Sequence, residues 1–249
     1  MLARNREHQQ QLNWLIRKFS VHGERLRQLD AITSNLGLFA SGFWGTIVLS
    51  FFTMVGSLIF GTVLAAMRVS PTPVLRAAAT TYVNVVRNTP LTLVLFFCAF
   101  GLPYLQISFG NTTDQVSFNY AVLALTAYTS CFVCEAIRSG IATVPLGQAE
   151  AARSIGLTFT QSLRFIILPQ GIRTVVPPLA SVIIAMVKNT SIASGFNNKE
   201  LISAMNGVIE LRGDQVPLIL AGTAIAYLIL SIGLGQIFGL IERKVRIAR

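Results

Sequence analysis

Five apolar stretches, each near or beyond the roughly 20 residues that a helix needs to cross a bilayer, dominate this chain. They run from about Phe43 to Met67, Val74 to Phe100, Tyr120 to Ile137, Phe165 to Val187 and Pro217 to Ile241. Lipid offers the backbone no hydrogen-bond partner, so segments of this length cross it as helices. Only 12% of the 249 residues are charged, about half the share found in soluble domains. The expected fold is an all-α polytopic membrane protein with five core transmembrane helices. Residues 36–249 read as one transmembrane domain, and residues 1–35 as a polar, basic tail.

The net charge of +10 fits the basic bias of cytoplasmic loops in membrane proteins. No nucleic-acid partner is expected. Arg138, Arg153 and Arg164 cluster around the third loop, and Arg243, Lys244, Arg246 and Arg249 end the chain. Both regions are therefore assigned to the inside, with a multi-pass arrangement in a bacterial inner membrane. Five spans place the tail outside, against the bias of its own Arg4, Arg6, Arg17, Lys18, Arg25 and Arg27. Within the tail, Leu12, Leu15, Ile16 and Phe19 recur at helical spacing, either as an interface-lying amphipathic helix or as a disordered segment. The tail lacks the apolar core of a cleavable signal peptide.

An enzyme is not expected. The chain has no phosphate-binding Gly-x4-Gly-Lys-Ser/Thr loop, and its two histidines, His8 and His22, both lie in the tail. Cys98, Cys131 and Cys134 fall in apolar runs and read as buried, inert thiols. No metal site is expected.

One polar helical segment, Gln148 to Pro169, lies between the long apolar runs. Ala149, Ala151 and Ala152 favour helix and leave a thin surface able to slot into a groove. Pro145 suits the helix entry, and Glu150 complements the positive end of the helix dipole. Gly156 supplies the left-handed conformation that ends such a helix.

These residues also carry a resemblance. Glu150, Ala151 and Ala152, followed by Gly156 and then Ile166, Leu168 and Pro169, resemble at each fixed position the EAA loop of ABC importer permeases. The loop spans 145–169. From Phe43 to Ile241 the chain resembles permease subunits of polar amino acid uptake systems. The blocks that carry this are Arg87-Asn88-Thr89-Pro90-Leu91, Tyr128 through Glu135 with Arg138 and Gly140, and Lys188-Asn189-Thr190-Ser191. Asn88 stands where the family more often has glycine, and the string Arg-Asn-Thr-Pro-Leu-Thr-Leu from Arg87 to Leu93, with Lys188-Asn189-Thr190, looks most like the glutamate uptake branch. The match fades beyond Ser194 and does not include the tail.

The resemblance implies a type I importer fold. It implies two permease subunits, here a second paralogous one, together with two ATPase subunits and an external substrate-binding protein. This chain would bind no cofactor; ATP and Mg would sit on the ATPases. Glu150, Ala151, Ala152, Arg153 and Gly156 would couple to them.

Candidate pathway residues are Arg87, Asn88, Thr89, Pro90, Tyr128, Thr129, Glu135, Asn189 and Thr190. A charge within a span costs about 2.5 kcal/mol or more unless paired or hydrated. Arg87 therefore meets a substrate carboxylate, pairs with Glu135, or snorkels. Asn88-Thr89-Pro90 breaks a helix within the membrane, and Pro177-Pro178 invites the same reading. Tyr128 and Thr129 are either substrate hydrogen-bond partners or interhelical glue. Glu135 either meets an ammonium group or pairs with Arg138. The expected function is one half of an ATP-driven importer for an amino acid, with glutamate favoured. Glutamine, basic amino acids, an ATP-independent transporter or channel, and a membrane anchor are the alternatives.

Overall fold

The computed structural model describes residues 33–245; the amphipathic pattern of the tail lies outside them. In order the helices are α1 (Leu36–Val69), α2 (Pro73–Arg87), α3 (Leu91–Tyr104, with a π turn at Phe97–Gly101) and α4 (Thr113–Ala142). Then come α5 (Leu146–Ser154), α6 (Phe159–Ser162, followed by a π turn at Leu163–Ile167) and α7 (Leu168–Asn189). A 3-10 segment, Thr190–Phe196, leads to α8 (Leu201–Leu211) and α9 (Val216–Val245).

Four of the expected spans are continuous and apolar enough to cross a membrane, namely α1, α4, α6–α7 and α9. The other, Val74 to Phe100, is a bent pair: α2 and α3 meet at 104° across a short break, and count as one span only together.

Packing begins with a stripe of small residues on α1. Gly42, Thr46, Thr53, Ser57 and Gly61 are buried, and α1 makes its most extensive contact with α4. In lipid such close contacts do the work that hydrophobic exclusion does in water. A Cβ at Gly61 would lie 2.6 Å from the Val133 Cβ, so only glycine permits this crossing. Further along, Leu49, Leu95, Tyr120 and Leu125 form one core cluster, and Leu64, Val83, Cys131 and Cys134 another. All three cysteines are free and buried.

These contacts fix which helix ends lie together. The C-terminal ends of α1, α4 and α9 share one end of the bundle with α5, α6 and the start of α7. There the Thr174 hydroxyl donates to the Gly140 carbonyl at 2.9 Å. The opposite end is closed by the loop before α8. Its Lys199 carbonyl oxygen would sit 2.0 Å from a Cβ at Gly45, and the Lys199 ammonium pairs with Asp114 of α4. Glu200 caps α8 by accepting from the Ser203 N–H at 2.8 Å, and it accepts from the Tyr227 hydroxyl of α9 at 2.8 Å.

The expected break at Pro177-Pro178 does not occur; α7 runs through both prolines. Adjacent prolines remove two donors, those that would reach the carbonyls of Arg173 and Thr174. Both of those residues are exposed, so the ladder loses bonds at its accessible edge only. The stretch between the expected spans that end at Val187 and start at Pro217 also contains a helix, α8.

Two outcomes follow from this packing. Gly45→Ala should lower the melting temperature of the detergent-purified complex, with an overpacking cost of about 1–3 kcal/mol. Gly37→Ala, at a position with nothing within 4 Å of the added atom, should not. Equal melting of the two variants would contradict the clamp at Gly45.

Glu200 is 1% exposed, and burial pushes its carboxyl above the usual range, against the hydrogen bonds that favour the anion. A raised folded-state pKa stabilises the fold fully below the ordinary glutamate value of about 4.3. That contribution is lost as pH rises through the folded-state value. Glu200 should therefore contribute a loss of stability from acid towards neutral pH, and Glu200→Gln should remove that contribution from the slope. An unchanged slope in the variant would contradict the assignment.

Candidate functional site

On α4, Tyr128, Phe132 and Glu135 follow one another at i, i+4 and i+7, so they share one helix face. Two elements flank that face. α2 approaches through Tyr82, whose hydroxyl donates to the Ala127 carbonyl at 3.1 Å, and through Arg87. α7 approaches from the other side. Between α4 and α7 lies a cavity of about 270 Å³ lined by Tyr128, Thr129, Phe132, Ser181, Ala185 and Asn189 with Val182 and Met186.

The α7 wall has its own periodicity. Ser181 and Ala185 are exposed and Asn189 is half-buried, and the three recur every four residues. The Ser181 hydroxyl donates to the Pro177 carbonyl at 3.4 Å, and the amide of Asn189 is the group of this stripe that would be costly against lipid. Tyr128 and Phe132 lie with ring centroids 5.1 Å apart and form the apolar part of the floor.

Towards the α5 end the same face of α4 reaches a cluster of charge. One Glu135 oxygen accepts from Arg68 Nη1 at 2.6 Å and lies 3.6 Å from Arg87 Nη1. The other accepts from Arg138 Nε and Nη2 at 3.1 and 3.0 Å. The expected pairing of Glu135 with Arg138 is thus present, but as one of three. Its carboxylate is occupied by guanidinium groups, which leaves an ammonium-binding role without a place. Arg68, which is not among the candidate residues expected from the sequence, is the most enclosed partner, with its side chain 14% exposed.

Asn88, Thr89 and Pro90 form the joint between α2 and α3. The amide of Asn88 donates to the Asn84 carbonyl at 2.7 Å, and the Thr89 hydroxyl to the Val85 carbonyl at 2.8 Å. The side chains thereby satisfy carbonyls that the end of α2 leaves bare. Pro90 takes φ −55° and ψ 133° and starts α3.

The structure thus brings Tyr128, Thr129 and Asn189 together at one cavity, and Arg87 and Glu135 together two helical turns away. Thr190 is not part of the groove: it is fully buried and its hydroxyl donates to the Val187 carbonyl at 2.7 Å. Ser181, Phe132 and Ala185 were missed by sequence reasoning. The four-residue spacing of Ser181, Ala185 and Asn189 was the available signal.

The loop beyond α4 is equally specific. α5 ends in a Schellman closure: the Gly156 N–H donates to the Arg153 carbonyl at 2.9 Å and the Leu157 N–H to the Ala152 carbonyl at 3.1 Å. Gly156 has φ +85°, the left-handed value expected of it. A capping box at Thr158 and Gln161 starts α6, so helix resumes before Phe165. Ala152 is buried, whereas Glu150, Ala151 and Arg153 are exposed. Leu146 and Ile155 are 81% and 76% exposed, which leaves apolar side chains uncovered at the end of the bundle.

Comparison with known proteins places this architecture. Residues 57–247 match the family described as "Binding-protein-dependent transport system inner membrane component". A glutamate transport system permease protein, GluC of Corynebacterium efficiens, is 43% identical over 213 residues, covering 83% of this chain and 93% of the relative. A probable glutamine ABC transporter permease protein, GlnM of Bacillus subtilis, is 41% identical, covering 66% and 73%. Among solved structures, that of an amino acid ABC transporter superposes with a TM-score of 0.78 at 28% identity, covering 86% of this chain and 96% of the other. The chain is therefore a transport permease subunit and not an enzyme, and it belongs to the family of binding-protein-dependent transport system inner membrane components.

Proposed function

We propose that this chain is one of two permease subunits of an ATP-driven importer whose substrate is glutamate, and that its groove forms half of the translocation pathway. The observation that carries the reading is that Ser181 and Asn189 of α7 face Tyr128 and Thr129 of α4 across one cavity. The glutamate permease relative supports the choice of substrate. A cavity wall of this kind, uncovered in a single chain, suits a second, paralogous permease subunit closing the pathway from the other side.

The coupling element is α5. Its Schellman closure holds a short helix at a fixed angle, with Glu150 and Arg153 exposed for charged contacts and Leu146 and Ile155 for apolar ones. An ATPase subunit with a complementary groove would grip this knob. Closure of two ATPases around ATP and Mg would then move α5 and, through the Thr174–Gly140 contact, the α4–α7 pair. In this reading the EAA segment and the C-terminus are cytoplasmic. The far end, with Lys199 and Asp114, faces the external binding protein.

Substrate identity is tested by the ATPase activity of the reconstituted complex with its binding protein, against a panel of amino acids. Glutamate should stimulate it most. Stimulation by arginine or glutamine but not glutamate would overturn the substrate assignment and leave the family intact.

Coupling is tested at α5. Gly156→Val should abolish the closure, because a β-branched residue at positive φ is strained by about 1–3 kcal/mol, and Glu150→Lys should reverse the charge of the knob. Both should reduce uptake to background and remove substrate-stimulated ATP hydrolysis, with the permease pair still assembled. Wild-type transport in both variants would contradict the coupling role.

A further inference from the structure

We propose that Arg87 is a carboxylate-exchange site, at which a net-anionic amino acid leaving the groove displaces Glu135. The inference rests on the importer reading above and adds a second station to the pathway. Three observations carry it.

The first is charge balance. Glu135 is one carboxylate shared by three guanidinium groups, so the cluster keeps two positive charges in excess. Within a membrane protein such an excess favours an anion as its complement.

The second is the inequality of the three arginines. Arg68 is held by a 2.6 Å hydrogen bond and Arg138 by two hydrogen bonds. Arg87 reaches Glu135 only at 3.6 Å, beyond hydrogen-bond distance, and its side chain is 41% exposed. A guanidinium carries five donors in a planar fork that matches a carboxylate. Arg87 has no hydrogen bond to another side chain among the described residues, so its fork is free to take one. Glu135 keeps Arg68 and Arg138 after such an exchange, so no buried charge is stranded.

The third is position. Glu135 lies seven residues beyond Tyr128 on the same face of α4, about 10 Å along the helix axis. Arg87 lies on the neighbouring helix immediately before the 104° joint at Asn88–Pro90. A substrate moving from the Tyr128 cavity towards the α5 end meets Arg87 next. The excess charge favours glutamate over the zwitterion glutamine, because both carry an α-carboxylate and only glutamate carries a net negative charge.

In this scheme Glu135 is an internal competitor, and removing its charge should tighten binding of the anionic substrate. The experiment is equilibrium binding of L-glutamate and of L-glutamine to the purified permease–ATPase complex, without binding protein. Glu135→Gln should strengthen glutamate binding about fivefold or more while leaving glutamine within about twofold. Unchanged glutamate binding, or equal tightening of both, would overturn the exchange. If Glu135→Gln does not assemble, Arg87→Gln decides. The preference for glutamate over glutamine should fall about tenfold under the proposal, and an unchanged preference overturns it. Uptake by the wild-type complex, measured in parallel, separates the two claims. Absence of glutamate uptake alongside tightened binding in Glu135→Gln defeats the importer reading alone. Normal uptake with unchanged binding defeats the exchange alone.

Discussion

Gly61 of α1 and Val133 of α4 lie so close that one added methyl group would come within 2.6 Å of the valine. In a bilayer the lipid tails are as apolar as the helices, so helices associate through shape more than through exclusion from water. The α1–α4 seam is that shape. It sets α4 as the central helix, leaves one of its faces to α2, and leaves the next to α7. Everything assigned to function then depends on the part of α4 that remains between those two neighbours.

That remaining face is unlike the rest of the surface. α9 presents large apolar residues such as Ile225, Leu228 and Ile232 outwards, as a helix against lipid should. The α4–α7 groove instead presents a tyrosine, threonine, serine and asparagine, and ends in four charged side chains. The contrast separates a lipid-facing side from a side that needs water, substrate or a partner subunit. α7 runs without interruption through its two prolines, Pro177 exposed and Pro178 half-buried, so the wall of the groove stays continuous.

How much of this the sequence disclosed depended on whether a feature was local. The left-handed turn at Gly156 and the joint at Asn88–Pro90 are local, and both were readable from residue type and order. Pro177-Pro178 was read by the same rule and the rule did not hold, because continuity of a helix also depends on where its lost bonds fall. α8 was not among the expected elements, because eleven residues in a segment with scattered charges give a weak helical signal, and Glu200, which caps it, is not one of the residue types that usually mark a helix start. Arg68 and Glu135 are 67 residues apart. Nothing in either neighbourhood announces the pair, which exists only because α1 and α4 run in parallel. The burial of Thr190 beside a half-buried Asn189 likewise follows from the direction in which the chain leaves α7.

The central claim is that the groove between α4 and α7 is a water-accessible pathway that opens and closes with ATP. It is tested most directly by single cysteines at Ser181 and Ala185 in the reconstituted complex, challenged with a membrane-impermeant thiol reagent with and without ATP and vanadate. The native cysteines are buried and should stay silent, as should a cysteine replacing the buried Ile183. The account predicts that Ser181→Cys and Ala185→Cys react, and that their rates change with nucleotide state. Labelling as slow as at Ile183→Cys in every state would show that the groove is packed against protein or lipid, and would contradict the account.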